Sequence, residues 1–435
     1  MRVAIIGAGI TGLSCAYFLR KKFTQSQLEI SLFEASERVG GNILSSSIEG
    51  AVFESGPRSI RAGSKILQFL QELGLKDELI FAARSAKKRF LAESSHLIEL
   101  PSSLLSLITT KYGRKIVKAC LSEFFCKKGS LSDESVHSFF SRRFGEDFAE
   151  TFINPWMAGI YAASPHSVSM RKAFSELSCL EEIHGSVIRG VLFGKKGERK
   201  KLFSLKGGLE TLPKAISSKL QGDIQLQAKV EKIKEKGSQV ELVLKDKVFQ
   251  VDFVISTLPI SHLRKLLEED LLMHLLPEVF ESSVASVSLG YKNEKLSKEG
   301  FGFLTGASCE QKLLGIIFDS AVFPEQNGPF QTRLSVMMGG ERDQNACGEN
   351  NLELQKRAEF FCQKYLGLQS RPDFCQVVRA KNAITCYPVG FEEMHQKVKN
   401  FLKTRKIELL GTGFYGISVP DCILHAMTYA ENFKI

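Results

Sequence analysis

The sequence predicts an α/β fold, α+β overall, on three observations. A short apolar strand runs into a glycine-rich turn and a helix near the N-terminus, a period-two segment lies in the middle, and another strand–turn–helix lies near the C-terminus. Apolar runs of this kind are typical of a parallel sheet, and period-two segments of antiparallel strands. The 435 residues are enough for two or three domains with cores of their own.

The first unit has the spacing of a phosphate-binding turn. Residues 3–6 are apolar and β-branched, as in a strand buried on both faces. Gly7, Gly9 and Gly12 follow as G-x-G-x-x-G, before an apolar helical pattern. Gly7 lets the backbone turn, Gly9 leaves room for a pyrophosphate, and Gly12 lets helix and strand approach. The helix N-terminus then favours an anion.

An acidic residue at the end of the second strand strengthens this prediction. Glu34 follows the apolar run 28–33, twenty-two residues after Gly12, where a carboxylate can accept hydrogen bonds from ribose hydroxyls. Residues 37–42, ERVGGN, add a basic residue and a second glycine pair, which favours FAD over NAD. The alternative, a glycine-rich turn without a ligand, leaves the strand, helix and acid together unexplained.

Composition limits the class of protein. Apolar residues make up 43% and charged residues 24%, and no run is long and apolar enough to span a bilayer. The first strand begins at once, so we expect no signal peptide. The ten cysteines form no C-x-x-C pair, which predicts reduced cytosolic thiols and no metal site. The net charge of +10 suits an anionic substrate or membrane surface, and the absence of a basic–aromatic stripe argues against nucleic acid.

Residues 51–128 predict a turn, a helix and a basic amphipathic region. Arg58 and Arg61 follow the turn at Gly56 and Pro57, close to where a cofactor is expected, although loop arginines are often merely solvated. A helix is predicted over 64–73 and an extended segment over 89–101. Residues 102–128 interleave leucine, isoleucine and phenylalanine with lysine and arginine. This pattern favours a core-facing helix, with attachment to anionic lipid as the alternative.

The remaining elements follow from periodicity and caps. We expect a helix over 133–144 with Ser132 as its N-cap, an apolar loop over 153–163, an antiparallel meander over 224–255, a second sheet from 283–291, 301–304, 313–318 and 333–338, and a helix over 351–365. Residues 407–413 predict a strand that enters a glycine turn, and residues 415–421 open a last helix. This C-terminal unit is expected to return to the first domain.

Several motifs over almost the whole chain resemble those of the oxygen-dependent, FAD-containing protoporphyrinogen oxidases. They are GAGITGL, FEASERVGG, ESGPRSIR, KRFL, DESVHSFFSRRFG, NPWMAGIYA, FSLKGGLETLP, GFGFL, LGIIFDSAVFP, VMMGG, YPVG and GISVPDCI. The resemblance implies a discontinuous Rossmann-like FAD domain, a mixed-sheet substrate domain and an inserted helical, membrane-associated region. The FAD domain would take 1–80, 201–262 and 381–435, the substrate domain 81–100 and 263–380, and the helical region 101–200.

The resemblance also implies the residues of the site. Those expected to hold FAD are Gly7, Ala8, Gly9, Ile10, Thr11, Gly12, Glu34, Ala35, Gly56, Pro57, Arg58, Ser59, Val230, Thr412, Ile417, Ser418 and Val419. Arg89 would pair with a propionate of the substrate, because a guanidinium binds a carboxylate in bidentate fashion. Leu304, Ile317 and Met337 would enclose the macrocycle, and the Gly159 carbonyl would face a pyrrole N–H.

The implied activity is oxidation of protoporphyrinogen IX to protoporphyrin IX in haem biosynthesis. Hydride would pass from a meso carbon to the flavin in three rounds, and O₂ would reoxidise the flavin with release of H₂O₂. No general base is predicted. Three alternatives remain open at this point: coproporphyrinogen III as substrate, a non-catalytic carrier on the same fold, and a flavin amine oxidase. We expect a cytoplasmic protein, with peripheral attachment to the inner face of the cell membrane and a homodimer as further expectations.

Overall fold

The computed structural model describes residues 1–129, 132–194, 197–267, 271–306 and 312–435. The strands within these ranges are β1 Arg2–Ile6, β2 Glu29–Phe33, β3 Ser45–Ile48, β4 Ala51–Glu54, β5 Ile60–Ala62, β6 Leu79–Phe81, β7 Phe90–Glu93, β8 His96–Glu99, β9 Lys201–Leu205, β10 Ile224–Gln225, β11 Val230–Lys236, β12 Gln239–Leu244, β13 Val248–Val251, β14 Phe253–Ser256, β15 Phe280–Tyr291, β16 Gly302–Thr305, β17 Gly315–Ile317, β18 Thr332–Gly339, β19 Phe374–Cys386 and β20 Ile407–Leu409.

The α-helices of the same ranges are α1 Ile10–Lys22, α2 Ser64–Glu72, α3 Leu104–Thr109, α4 Lys111–Phe125, α5 Val136–Phe144, α6 Glu146–Phe148, α7 Asn154–Tyr161, α8 Met170–Ala173, α9 Ser175–His184, α10 Val187–Phe193, α11 Thr211–Ser218, α12 Ile260–Leu266, α13 Leu271–Leu275, α14 Asp319–Val322, α15 Asn351–Leu366, α16 Phe391–Leu402 and α17 Val419–Asn432. A π-helical turn, Ala149–Ile153, joins α6 to α7. The mixed α/β class predicted from the sequence is confirmed.

A five-stranded parallel sheet, in the order β10-β2-β1-β14-β20, contains the first strand at its centre. Its strands come from segments far apart in the sequence, and β20 pairs with β14 at the edge. Helix α17 packs on α1, and both contribute to the core beneath this sheet. The expected return of the C-terminal unit to the first domain is therefore confirmed.

A seven-stranded mixed sheet, in the order β19-β15-β18-β17-β16-β7-β8, forms the second layer. The four runs predicted as strands between residues 283 and 338 all belong to it. Because side chains alternate along each strand, one face carries Phe90, Phe303, Ile316 and Val336 into a large core. The opposite face carries the neighbouring residues, among them Leu304, Gly315 and Met337.

The meander predicted over 224–255 is confirmed only in its centre. Strands β11, β12 and β13 are antiparallel, as expected. At the two ends of the segment the prediction was wrong, because β10 and β14 pair in parallel with β2 and β1. The last three residues of β14 are all buried, so this strand lies inside a sheet covered on both faces.

Two further local predictions were wrong. Most of the segment 153–163 forms helix α7 rather than a loop, because Pro155 at the first turn needs no amide donor and Met157 and Ala158 are buried. Helix α5 begins at Val136 with Ser135 as its N-cap, not after Ser132. Asp133 instead accepts hydrogen bonds from the Ser169 hydroxyl and the Gly390 amide.

The basic amphipathic region forms helices α3 and α4, but its apolar residues do not face a core. Leu104 is 82% exposed and Phe125 is 77% exposed, and Leu105, Ile108 and Leu121 are also exposed. The buried face of α4 carries Tyr112, Gly113, Ala119 and Glu123 instead. The favoured prediction of a core-facing helix was therefore wrong for these side chains. Among the described residues, no helix has the length and apolar character that crossing a bilayer requires.

A buried ion network holds the helices of this region together. The side chains of Arg143 on α5 and Glu123 on α4 are fully buried and form an ion pair at 2.5 Å, and Arg143 also contacts Glu181 on α9 at 2.6 Å. Burial raises the pKa of Glu123, but hydrogen bonds from the Ser186 hydroxyl, two backbone amides and Arg143 bring it below its usual value. The network fixes α4, α5 and α9 relative to one another.

We expect Arg143→Met to lower the free energy of unfolding by about 3 kcal/mol or more, because Glu123 and Glu181 would lose their shared buried cation. The exposed pair of Arg171 with Glu182 provides the matched control, and Arg171→Met should cost less than about 1 kcal/mol. Urea-unfolding midpoints of the three proteins measure the difference. Equal midpoints for the two variants would contradict a stabilising role for the buried network.

Candidate active site

The glycine turn lies between β1 and α1 and leaves an open space at the helix N-terminus. Gly7 has a φ of +100°, and a Cβ on Gly12 would lie 1.9 Å from the Gly7 carbonyl oxygen, so both positions require glycine. Gly9 is the N-cap of α1 without a side-chain cap, and a Cβ there would meet no atom within 4 Å. Amide donors of the first helical turn therefore border an open space that suits a phosphate.

Glu34 lies beside this turn, as predicted. Its carboxylate accepts hydrogen bonds from the Ala8 amide at 2.8 Å and from the Ser36 amide at 2.9 Å. The backbone carbonyl of Glu34 accepts from Ala228, which brings the segment before Val230 to the same place. Val230 itself is buried, whereas Ala35 is exposed next to Glu34.

The C-terminal turn contacts the glycine turn from the other side. A Cβ on Gly411 would lie 3.5 Å from the Thr11 hydroxyl. The buried Tyr387 hydroxyl donates to the Thr412 carbonyl and accepts from the Gly416 amide at 2.9 Å, which fixes the backbone before Ile417. Ser418 caps α17 in a capping box with Asp421, and Val419 is the first helical residue.

Residues 55–59 contain buried polar atoms that point to a ligand. A Cβ on Gly56 would lie 1.8 Å from the Asn42 carbonyl oxygen, so this segment packs directly on the ERVGGN turn. Within the described part of the chain, the Arg58 Nε and Ser55 Oγ atoms are buried without a hydrogen-bond partner. Such atoms are costly unless a ligand or water satisfies them. Together with the open space at Gly9, they fit a bound dinucleotide such as FAD. Gly56, Pro57, Arg58 and Ser59 are all half-buried.

Arg58 also links the residues expected to hold the cofactor to the seven-stranded sheet. Its Nη2 atom donates to the Ser286 hydroxyl on β15 at 2.5 Å. Burial lowers the pKa of Arg58 and raises the pKa of the nearby Asp319, while the opposite charges counteract both shifts. Burial also raises the pKa of Glu54 to about 7. Glu54, Asp319 and Arg333 have no role predicted from the sequence, although Glu54 lies in ESGPRSIR and Asp319 in LGIIFDSAVFP. Their burial close to Arg58, which only the tertiary structure shows, identifies these three residues as one charged group.

The predicted substrate residues lie on one face of the seven-stranded sheet. Leu304 on β16 is opposite Gly315 on β17, which is opposite Met337 on β18. Ile317 lies two residues from Gly315 and thus on the same face. Leu304, Ile317 and Met337 are half-buried, whereas their neighbours on the other face are in the core. Met337 pairs with Ser286, which accepts a hydrogen bond from Arg58. This face therefore meets the loop of residues 55–59, called the cofactor loop below.

Gly159 and Arg89 lie at different parts of this face. A Cβ on Gly159 would lie 2.4 Å from the Leu304 Cδ2 atom, so α7 covers the face at this point. Arg89 immediately precedes β7, whose Leu91 pairs with Leu304, and its guanidinium lies over the Phe301 ring at 5.3 Å. Arg89 is exposed as a whole residue, and partial burial of its guanidinium, followed by the positive charge of Arg61, lowers its pKa. Two neighbouring guanidinium groups at one edge favour an anionic ligand.

A separate cavity of about 530 Å³ lies between α1, α2 and α17. It is lined in part by Lys21, Lys22, Lys65 and Glu72 and contains none of the predicted cofactor or substrate residues. Within the described ranges, the site formed by Gly9, Glu34 and Arg58 is therefore a better candidate for cofactor binding than this cavity.

The chain matches known proteins over nearly its whole length. Residues 10–387 match the family described as flavin containing amine oxidoreductase. The chain is 33% identical to the protoporphyrinogen oxidase of Bos taurus, over 97% of this chain and 96% of that protein. It is 26% identical to the coproporphyrinogen III oxidase of Bacillus subtilis (strain 168), over 97% and 95% of the two chains.

The fold is also that of a solved structure. A crystal structure of a protein from Exiguobacterium sp. 255-15 superimposes with a TM-score of 0.85, covering 99% of this chain and 98% of the other at 23% identity. At this identity the likeness concerns the fold alone. It agrees with the arrangement of a parallel sheet, a mixed sheet and inserted helices described above.

We expect Gly9→Val to reduce flavin bound at purification to about a tenth or less, because its side chain would project into the open space, where a Cβ meets no atom within 4 Å. Gly348→Val is the matched control, since a Cβ there also meets no atom within 4 Å. The ratio of flavin to protein absorbance measures binding, and thermal unfolding of the apoproteins checks the fold. Full flavin content in Gly9→Val would exclude this turn as the cofactor site.

Proposed function

Because the chain belongs to the flavin-containing amine oxidoreductases, and within them to the protoporphyrinogen oxidase family, we propose that it oxidises a porphyrinogen to a porphyrin with O₂ as acceptor. The protein is an oxidoreductase with FAD as its cofactor. When bound, FAD supplies hydride acceptance and is reoxidised by O₂ to give H₂O₂. The protein itself would bind FAD and the porphyrinogen, orient them relative to each other and shield them from water.

The cofactor would be held by residues from four parts of the chain. The amide donors at the start of α1 suit the pyrophosphate, and Glu34 suits the ribose. Arg58 and Ser55 supply buried polar atoms that still need partners. The C-terminal turn at Thr412 and the start of α17 border the same space, so its backbone would complete the enclosure.

A single observation carries the proposal for the substrate. The cofactor loop reaches the half-buried apolar face of the seven-stranded sheet through the hydrogen bond between Arg58 and Ser286. A large apolar macrocycle on Leu304, Ile317 and Met337 would thus lie next to the cofactor. Arg89 at the edge of this face supports a substrate with a carboxylate, because its charge would pair with a propionate.

Protoporphyrinogen IX is the proposed substrate, and coproporphyrinogen III is the second candidate. The protoporphyrinogen oxidase relative has the higher identity, 33% against 26%. The nearness of Arg61 to Arg89 favours the second candidate, because coproporphyrinogen carries four propionates rather than two. Anaerobic mixing of the FAD-loaded protein with each porphyrinogen, followed by flavin bleaching, distinguishes them. Bleaching by neither substrate would leave only a non-catalytic binding role or another substrate class.

We expect Arg89→Ala to raise KM for the porphyrinogen about 30-fold, because a substrate carboxylate would lose a charge partner worth about 2 kcal/mol. Arg89→Lys should recover part of the loss, since lysine keeps the charge but not the bidentate geometry. Arg84→Ala, at another exposed arginine of the same segment, is the control. Steady-state kinetics at equal flavin content provides the test. An unchanged KM in Arg89→Ala would refute the assigned role.

We also propose that α3, α4, α9 and α10 dock on an anionic membrane surface. Leu104, Leu105 and Phe125 are exposed on α3 and α4, and Phe193 on α10 is 75% exposed. Contacts of α4 with α3 and α10, and of α10 with α9, bring these helices together, which would allow their exposed apolar residues to meet one membrane surface. Exposed cations of α4, Arg114 and Lys118, lie on the same helix as Leu121 and Phe125. This combination suits the interface of an anionic bilayer.

Replacing Leu104, Leu105 and Phe125 by glutamine should abolish most cosedimentation with phosphatidylserine-containing vesicles, because each residue would contribute buried apolar area. Leu352→Gln with Phe360→Gln, at exposed apolar residues of α15, is the matched control. Arg114→Gln with Lys118→Gln should weaken binding to anionic but not to neutral vesicles, by about 1 kcal/mol per charge. Equal vesicle binding by all variants would refute the docking surface.

A further inference from the structure

Two histidines and two glutamates converge on the helical region, away from the candidate active site. His137 lies on α5, Glu146 on α6, Glu150 in the π-helical turn, and His166 in the loop after α7. The His137 Nε2 atom lies 3.1 Å from the Glu150 Oε1 atom and 3.1 Å from the Glu146 Oε1 atom. The ring of His166 stacks on that of His137 with centroids 3.8 Å apart.

We propose that this cluster binds a divalent transition metal of the zinc class. One ligand atom from each of His137, Glu150 and His166 lies within 4.8 Å of the others. Ligand atoms about 2.0–2.2 Å from a tetrahedral zinc ion are separated by little more than 3 Å, close to the distance between His137 and Glu150. Two imidazoles with a carboxylate are ligands that zinc, copper and nickel prefer over magnesium or calcium.

The surrounding residues hold these ligands as the outer shell of a metal site does. The Asn154 amide donates to the Glu150 Oε2 atom at 3.1 Å, which leaves Oε1 directed to the cluster. The Asn154 Oδ1 atom in turn accepts from Arg342. The His137 amide donates to the Pro165 carbonyl at 2.9 Å, which holds the His166 loop against α5. Outer-shell partners of this kind orient ligands and raise metal affinity.

The exposure of the four side chains suits an ion that enters from solvent. The His137 side chain is only 12% exposed, which fixes one ligand, whereas Glu150 is 40% and Glu146 66% exposed. His166 is exposed, so its ring turns toward the ion without displacing packed atoms. The π-helical turn that carries Glu150 is a rare element, found disproportionately at functional sites. The ion would join α5, the π-helical turn and the loop after α7.

The test measures zinc binding to the FAD-loaded full chain after treatment with EDTA, in a Cys179→Ser background because Cys179 is exposed and thiolates are zinc ligands. Isothermal titration with ZnCl₂ should give one site that His137→Asn abolishes. His166→Asn, at an exposed position, should weaken it at least about tenfold without affecting the fold. His96→Asn, at an exposed histidine of β8, is the matched control and should bind as the parent does.

Anomalous diffraction from crystals soaked in ZnCl₂ locates the ion. A peak bounded by His137, Glu150 and His166 supports the site, as does its loss in His166→Asn. The proposal is overturned if the parent binds no zinc, if His166→Asn and the control bind equally, or if zinc occupies other positions only. None of these readouts depends on turnover, so the outcome is separate from that of the proposed oxidation.

Discussion

Helix α1 can approach β1 only because neither Gly7 nor Gly12 carries a side chain. The position of a Cβ on Gly12, 1.9 Å from the Gly7 carbonyl oxygen, shows how closely the two elements pack. This packing places the amide donors of α1 at the carboxyl end of the central strand of the parallel sheet. Glu34 ends the neighbouring strand, and the C-terminal turn follows β20 at the same end. Parallel strands thus bring three distant segments to one edge, where open α/β sheets bind ligands.

The cofactor side and the substrate side are connected through buried polar groups. Arg58 follows the strand β4 and donates to Ser286, which belongs to the seven-stranded sheet. Asp319 and Arg333 lie close enough to Arg58 for their charges to influence one another. Buried charges are costly unless they are paired, so this group tolerates few alternative arrangements. The apolar face with Leu304 and Met337 is therefore fixed relative to the loop that would hold the flavin. Such rigidity favours hydride transfer, which requires close and constant positioning of the reacting atoms.

The helical region between residues 101 and 200 combines a fixed interior with an unusual surface. Its interior is held by Arg143 and two glutamates, and by a cluster of phenylalanines on α5. Its exterior exposes several large apolar side chains, which form the surface that we propose docks on lipid. The His–Glu cluster lies in the same region and joins α5 to the π-helical turn. Gly159 of helix α7 packs against Leu304. The helical region is therefore in direct contact with the proposed substrate face.

The sequence alone determined the parts of the protein that depend on local spacing. The glycine turn, Glu34, the central antiparallel strands and the capped C-terminal helix all follow from residues close in the chain, because backbone conformation and periodicity are local properties. Tertiary structure decided the rest. Strands β10 and β14 join the parallel sheet by pairing with β2 and β1, and β14 is buried on both faces there. Asp133 is drawn away from the start of α5 by Ser169 and Gly390. The outward apolar face of α4, the link from Arg58 to Ser286 and the meeting of His137 with His166 require groups far apart in the sequence. Only packing brings such groups together, since no local pattern specifies which distant side chain will be the neighbour.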